Sequence, residues 1–175
     1  ELPGAVVVVG YGDEIVYQKA FGSRVVSQGQ GLEEMTVDTI FDLASLTKVV
    51  ATTTSIMMLV EMGEIRLRDR VAIFIPEFAR YGKENVTIHH LLTHMSGLRP
   101  DLDLNRSWKG SDVAIQLATE EILLASPGTK FIYSDINFFL LGEIVRRVSE
   151  MPLDEFAQTK VFEPLGMSDT MFRPP

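Results

Sequence analysis

The chain has no cysteine in 175 residues, so it carries neither a disulfide framework nor thiol chemistry, and cysteine usage leaves the compartment open. It also lacks an excess of positive charge. Against 24 Asp and Glu stand 16 Lys and Arg, a formal net charge of −8, which argues against nucleic acid or an anionic membrane as a partner. No tract approaches about 18 consecutive apolar residues, so no membrane-spanning helix is expected. The start shows no secretory signal pattern. Glu1-Leu2-Pro3-Gly4 leads almost directly into a strand and reads as a trimmed or processed beginning. There is no internal repeat and no low-complexity tract. What remains is ordinary for a globular domain: 46% hydrophobic and 23% charged residues, at a length that can bury one real core.

Periodicity divides the chain into a short β part and a long helical part. Ala5 to Gly10 is an apolar, β-branched run, Tyr11-Gly12-Asp13 is a turn signal, and Glu14 to Gly22 reads as a second strand with Ile15, Tyr17 and Lys19 on one face. Ser23 to Asp38 is polar and glycine-containing and is expected to be a loop. Thr39 to Ala44 is an extended, apolar-rich run feeding a helix that starts at Ser45. That helix continues to Met62, with Val49, Val50, Ile56, Met57, Leu59 and Val60 on a wide apolar face and Gly63 ending it. Its methionines read as core. Arg66 to Arg70 is a charged, solvated connection, and Pro76 breaks the apolar piece after it. Thr87 can cap a helix through Thr93, Ser111 one through Leu124, and Ser134-Asp135 one with Ile136, Leu140, Ile144 and Val148 as its buried stripe. Pro152 to Phe162 is a last helix burying Leu153, Phe156, Ala157 and Val161. An isolated two-stranded hairpin is marginal, and the Val6–Val9 run wants neighbours on both sides.

The chemistry concentrates in Ser45-Leu46-Thr47-Lys48 and in Tyr133-Ser134-Asp135. A serine three residues before a lysine on a helix puts both side chains on one face. A hydroxyl is a poor nucleophile at neutral pH and needs a base, which a lysine can supply or can tune in a tyrosine. The pair alone is unspecific: with 11 serines and 6 lysines in 175 residues, roughly 0.4 such spacings are expected by chance. Its place at a helix start, where free N–H groups and the dipole favour developing negative charge, strengthens it. The bland alternative for Ser45 is an N-cap. A buried tyrosine usually only packs and hydrogen-bonds. Asp135 can equally cap the next helix or line the site. In the site, its charge would hold Lys48 protonated and leave a Tyr133 phenolate as the base, and it would lack the amide donor of an asparagine. His90 and His94 stand at i, i+4, but no glutamate follows His90 and no third ligand is evident, so no metal is expected. A Ser-His-Asp triad through Ser45 finds no nucleophile-elbow pattern.

Phe41-Asp42-Leu43-Ala44-Ser45-Leu46-Thr47-Lys48 resembles the nucleophile motif of the serine β-lactamase and penicillin-binding protein superfamily. More narrowly, it resembles the branch of class C β-lactamases, DD-peptidases and family VIII esterases. Leu91-Leu92-Thr93-His94-Met95-Ser96-Gly97-Leu98 is similar to that branch's Leu-Leu-Thr-His-x-Ser-Gly-Leu segment. Pro127-Gly128-Thr129 with Tyr133-Ser134-Asp135 is similar to its Pro-Gly and Tyr-x-Asn segment, and Pro164-Leu165-Gly166-Met167 with Asp169-Thr170 to a further one. These segments fall in the branch's order across nearly the whole chain. Two features depart from it. No Lys-Thr-Gly or His-x-Gly occurs before Pro175, and position 135 is Asp where the branch usually has Asn.

The resemblance implies an α/β plus all-α fold of the β-lactamase/transpeptidase type: an antiparallel sheet with flanking helices and an inserted helical domain. It places residues 1–63 in the N-terminal part of the α/β domain and 64–175 in the helical domain. The C-terminal half of the sheet is then missing from this chain, and a further segment or another chain is needed to complete it. The implied activity is that of a serine hydrolase acting on a β-lactam, a D-amino-acid peptide or a carboxylic ester through an acyl-Ser45 intermediate. Lys48 and Tyr133 would be catalytic, Asp135 substrate-binding and His94 part of a structural turn. A small-molecule or peptide substrate, no cofactor and an extracytoplasmic location follow from the same likeness. The competing expectation is a non-catalytic or sensor-type penicillin-binding module.

Overall fold

The structure is a computed structural model and describes residues 2–25, 33–103 and 107–174. The chain divides into two compact units, 1–43 and 44–175.

The first unit is a three-stranded antiparallel sheet in the order β1-β2-β3, with β1 at Gly4–Tyr11, β2 at Glu14–Val25 and β3 at Glu33–Glu34. The expected hairpin is present, with Gly4 opposite Gly22 and Tyr11 opposite Glu14. Its two-residue connection places Gly12 at φ +60°, which a glycine takes without strain. The expected loop from Ser23 needs correction. β2 runs on to Val25, and Ser23 and Val25 pair with Glu34 and Glu33, with an Arg24–Glu33 ion pair at 2.8 Å. Residues 26–32 of that expected loop lie outside the described residues. Val7 and Val8 point to opposite faces and are 41% and 52% exposed, so neither face of this small sheet is closed within the unit. Residues 39–43 join no strand among the described residues. A turn precedes that segment, closed by Thr39 N–H to Thr36 O at 3.2 Å.

The second unit is helical. A π-helical segment, Lys48–Thr53, leads into α1, Thr54–Glu61. The wide turn has a local cause: the Thr54 hydroxyl donates to Val49 O, five residues back, at 3.1 Å. Short helices α2 (Val71–Phe74) and α3 (Ile88–Leu92) follow, separated by a 3₁₀ turn at Pro76–Phe78. Thr87 caps α3 as expected: its hydroxyl accepts from His90 N, and His90 Nδ1 accepts from Thr87 N. α4 spans Ser111–Glu120, α5 Asp135–Ser149 and α6 Leu153–Ala157, and a second π segment occupies Gln158–Phe162. α5 is the axis of the core. Ile136, Leu140, Leu141, Ile144 and Val145 on it are fully buried, against Ile56, Phe78, Ile88 and Leu91 from the other helices.

Both ends of α4 differ from expectation. Ser111 is the first residue of α4, and Gly110 holds the cap position without a side-chain bond. α4 stops at Glu120, four residues before the expected end at Leu124. Lys83, fully buried, takes the carbonyls of Thr119 (3.0 Å) and Glu121 (2.6 Å) at its C-terminus. A cation there completes orphan carbonyls and suits the negative end of the helix dipole. Beyond it the chain is extended, and Leu124 N–H donates to Gly97 O at 2.8 Å.

Gly97 allows that approach. Its φ is +85°, and an added Cβ would lie 2.0 Å from Ala125 O. Gly97→Ala is therefore expected to cost about 3 kcal/mol or more of unfolding free energy, read from urea unfolding curves.

Candidate active site

Four sequence-selected residues meet in the second unit. Ala44 enters the turn before Ser45 at φ +44°, an unusual conformation for a residue with a Cβ. Thr47 N–H and Lys48 N–H then close onto Ala44 O and Ser45 O, both at 3.1 Å. This tight turn, rather than a strand, delivers Ser45 to the helix. The cap position of the first helical segment is Thr47, with no side-chain cap bond. The Ser45 hydroxyl instead accepts from Lys48 Nζ at 3.3 Å.

Lys48 Nζ is the hub. It also lies 2.6 Å from Asp135 Oδ1, as an ion pair, and stands 5.0 Å from the Tyr133 ring centre. An ammonium has three donors; here a hydroxyl accepts one, while a carboxylate and an aromatic ring stand beside the charge. Burial alone would pull the Lys48 pKa down, but the paired Asp135 carboxylate and the Tyr133 phenol beside it outweigh that, and the net shift is upward. Tyr133 moves the other way. Hydrogen bonds with Ser45, then with Lys48, hold its phenol below the usual range, against slight burial and the Asp135 charge. A lysine kept charged beside a tyrosine made easier to ionise is an arrangement in which the phenolate can take a proton from the neighbouring hydroxyl.

Asp135 is the first residue of α5, not its cap. Ser134 holds the cap position but donates its hydroxyl to Arg99 O at 2.6 Å. The Asp135 carboxylate therefore stands near the positive helix end while paired with Lys48.

One participant carried little signal in the sequence beyond its segment: His94. Its ring stacks on Tyr133 with centres 4.3 Å apart and planes 30° from parallel, and its Nδ1 accepts from Ser134 N at 3.0 Å. His90 is occupied at Thr87 instead, so the i, i+4 pair does not converge on one point in these contacts.

A family model described as "Beta-lactamase" matches residues 1–175. The chain belongs to the beta-lactamase family. Among curated proteins, this beta-lactamase-family chain is 34% identical over 179 residues to a putative D-alanyl-D-alanine carboxypeptidase of Escherichia coli (strain K12), covering 93% of this chain and 41% of that protein. It thus spans about two-fifths of the length of that relative. Among solved structures it is similar to the octameric penicillin-binding protein homologue from Pyrococcus abyssi, with a TM-score of 0.81 and 33% identity over 95% of this chain and 40% of the other. It is also similar to EstCE1, a hydrolase with promiscuous acyltransferase activity, with a TM-score of 0.81 and 26% identity over 94% of this chain and 47% of the other. A small antiparallel sheet with helices is the part of the β-lactamase/transpeptidase-like fold that this chain carries. Among the described residues no helix is long and apolar enough to cross a membrane.

Proposed function

We propose that this chain carries the nucleophile and the base of a serine hydrolase that works through an acyl-Ser45 intermediate. The observation that carries the reading is the position of Lys48 Nζ, 3.3 Å from Ser45 Oγ, 2.6 Å from Asp135 Oδ1 and 5.0 Å from the Tyr133 ring centre. Because Ser45 Oγ accepts from Lys48, its own hydrogen is left for the Tyr133 oxygen. As Ser45 attacks the carbonyl, the proton passes to Tyr133 and then to the leaving alcohol or amine. Water repeats the sequence to release the acyl group. Lys48 stays charged and stabilises the phenolate. The Ser45 backbone N–H is one donor to the oxyanion. No step needs a cofactor. A fluorophosphonate or a penicillin should leave a single adduct, mapped by mass spectrometry to the peptide bearing Ser45. An adduct on another residue would sink the assignment, and a penicillin adduct that never turns over would favour the sensor-type module.

The substrate class we favour is a carboxylic ester or a D-amino-acid peptide rather than a β-lactam, and Asp135 is the reason. An ionised carboxylate repels a substrate carbonyl and welcomes an amine or another donor. Asp135→Asn is expected to raise penicillin acylation relative to a p-nitrophenyl ester by about tenfold, the scale of one charge-mismatched hydrogen bond. It should also let Lys48 lose its proton sooner, so the falling alkaline side of the pH–rate profile moves to lower pH. Unchanged substrate ratios and an unchanged profile would reduce Asp135 to a residue of the helix start.

A further inference from the structure

We propose that His94 is a positioning residue that clamps Tyr133 onto Ser45 and Lys48. The inference rests on Tyr133 being the base and adds the part that holds it there.

Three separate ties run from this one residue to the segment bearing Tyr133. The His94 carbonyl accepts from Ile132 N at 2.9 Å, its Nδ1 accepts from Ser134 N at 3.0 Å, and its ring stacks on Tyr133 itself. The residues on either side of Tyr133 are thus pinned through their backbone N–H groups, one by the His94 carbonyl and one by its ring, and the side chain between them stacks on the imidazole. Phe131, two residues back on the same extended stretch, packs edge-on against the same ring at 5.8 Å. Tyr133 is 44% exposed, so the imidazole is a major part of what fixes its ring.

The clamp has a required protonation state. A backbone N–H can only donate, so His94 Nδ1 must carry its lone pair toward Ser134. The side chain of Asn137 enforces the same choice. Its Oδ1 accepts from Ser96 Oγ at 2.6 Å, which turns its NH₂ group toward His94 Nδ1 at 3.4 Å. Two donors therefore face a nitrogen that cannot hold a proton. The charged and titratable groups around the ring are Lys48 from the first helical segment, Asp135 at the start of α5, and Tyr133. Burial and Lys48 push the His94 pKa down and Asp135 pushes it up, with a net fall that keeps the ring neutral. A neutral, 9% exposed ring locked by its acceptor nitrogen is suited to alignment and not to proton transfer.

The backbone narrows which replacement can serve. His94 sits at φ +56° at the end of α3, where Asn is also tolerated. An Asn side chain places its Oδ1 near the position of a histidine Nδ1, while a Gln places its oxygen one bond farther out. His94→Ala, His94→Asn and His94→Gln therefore separate the clamp from general packing. The readout is an ultraviolet phenolate titration of each variant, with the matching Tyr133→Phe protein subtracted, alongside kcat and KM for a p-nitrophenyl ester. In His94→Ala the Tyr133 ionisation should move to higher pH, because its bonds to Ser45 and Lys48 loosen. kcat should fall about 100-fold with KM little changed, the usual result of a misplaced catalytic group. His94→Asn should recover most of both losses and His94→Gln should not. An unmoved Tyr133 ionisation in His94→Ala, or equal titrations for the Asn and Gln variants, would overturn the proposal. That second comparison stands even where the Ala variant does not fold. The titration reads Tyr133 whether or not it is the base, so a fully active Tyr133→Phe would defeat the mechanism while leaving the clamp to be decided by absorbance.

Discussion

Replacing Ser45 by Ala is expected to lower kcat/KM for an ester by about 10⁴- to 10⁶-fold, the scale seen when a covalent nucleophile is deleted from a cooperating set. The expectation comes from the geometry around Lys48. With the hydroxyl gone, the ammonium keeps Asp135 and Tyr133 but has no acyl acceptor to serve. Activity that remains should come from polarisation of the bound carbonyl toward water and should show no burst of acyl-enzyme. Folding should be little affected, because the Ser45 side chain serves no cap bond and its turn is closed by backbone groups. The measurement is pre-steady-state hydrolysis of a p-nitrophenyl ester, with circular dichroism melting as the control for folding. A variant that kept both the burst and the turnover would remove Ser45 from the mechanism.

Much of this arrangement was legible in the residues. The Ser45–Lys48 spacing, the hairpin and the α5 stripe are local patterns, and local patterns survive folding. Ile136, Leu140 and Ile144 are buried because a 3.6-residue period places them on one face. What was not legible depends on contacts between distant residues. α4 ends at Glu120 because a lysine 36 residues upstream of Thr119 reaches its carbonyls. β2 outlasts its own turn signal because Glu33 and Glu34 pair with its end. His94 sits in a recognisable segment, yet nothing in that segment says its ring will lie against a tyrosine 39 positions later. The Ser45 turn has the same character. Its segment looked extended by composition, and only the φ of Ala44 shows a tight entry. The choice between cap and site for Asp135 was likewise a matter of where Lys48 would arrive.

Removing the phenol oxygen by Tyr133→Phe is expected to lower kcat/KM by about 10²- to 10⁴-fold, the usual contribution of a positioned general base. The pH profile is the more discriminating reading. Tyr133 must be deprotonated to accept the Ser45 proton, and hydrogen bonds with Ser45 and then Lys48 hold its pKa below the usual phenol range. Lys48 must stay protonated to support that phenolate, and Asp135 and Tyr133 hold its pKa above the usual value despite burial. The two shifts pull the ionisations apart. For the free protein, kcat/KM should rise with pH through the lowered Tyr133 ionisation and fall only through the raised Lys48 ionisation. Tyr133→Phe should lose the rising limb and keep the falling one. The opposite assignment makes an opposite forecast. If neutral Lys48 were the base, activity would rise, not fall, as the ammonium gave up its proton, and Tyr133→Phe would leave that rise in place. A residual activity that still climbs with pH through the alkaline range in Tyr133→Phe would therefore transfer the role of base from the tyrosine to the lysine.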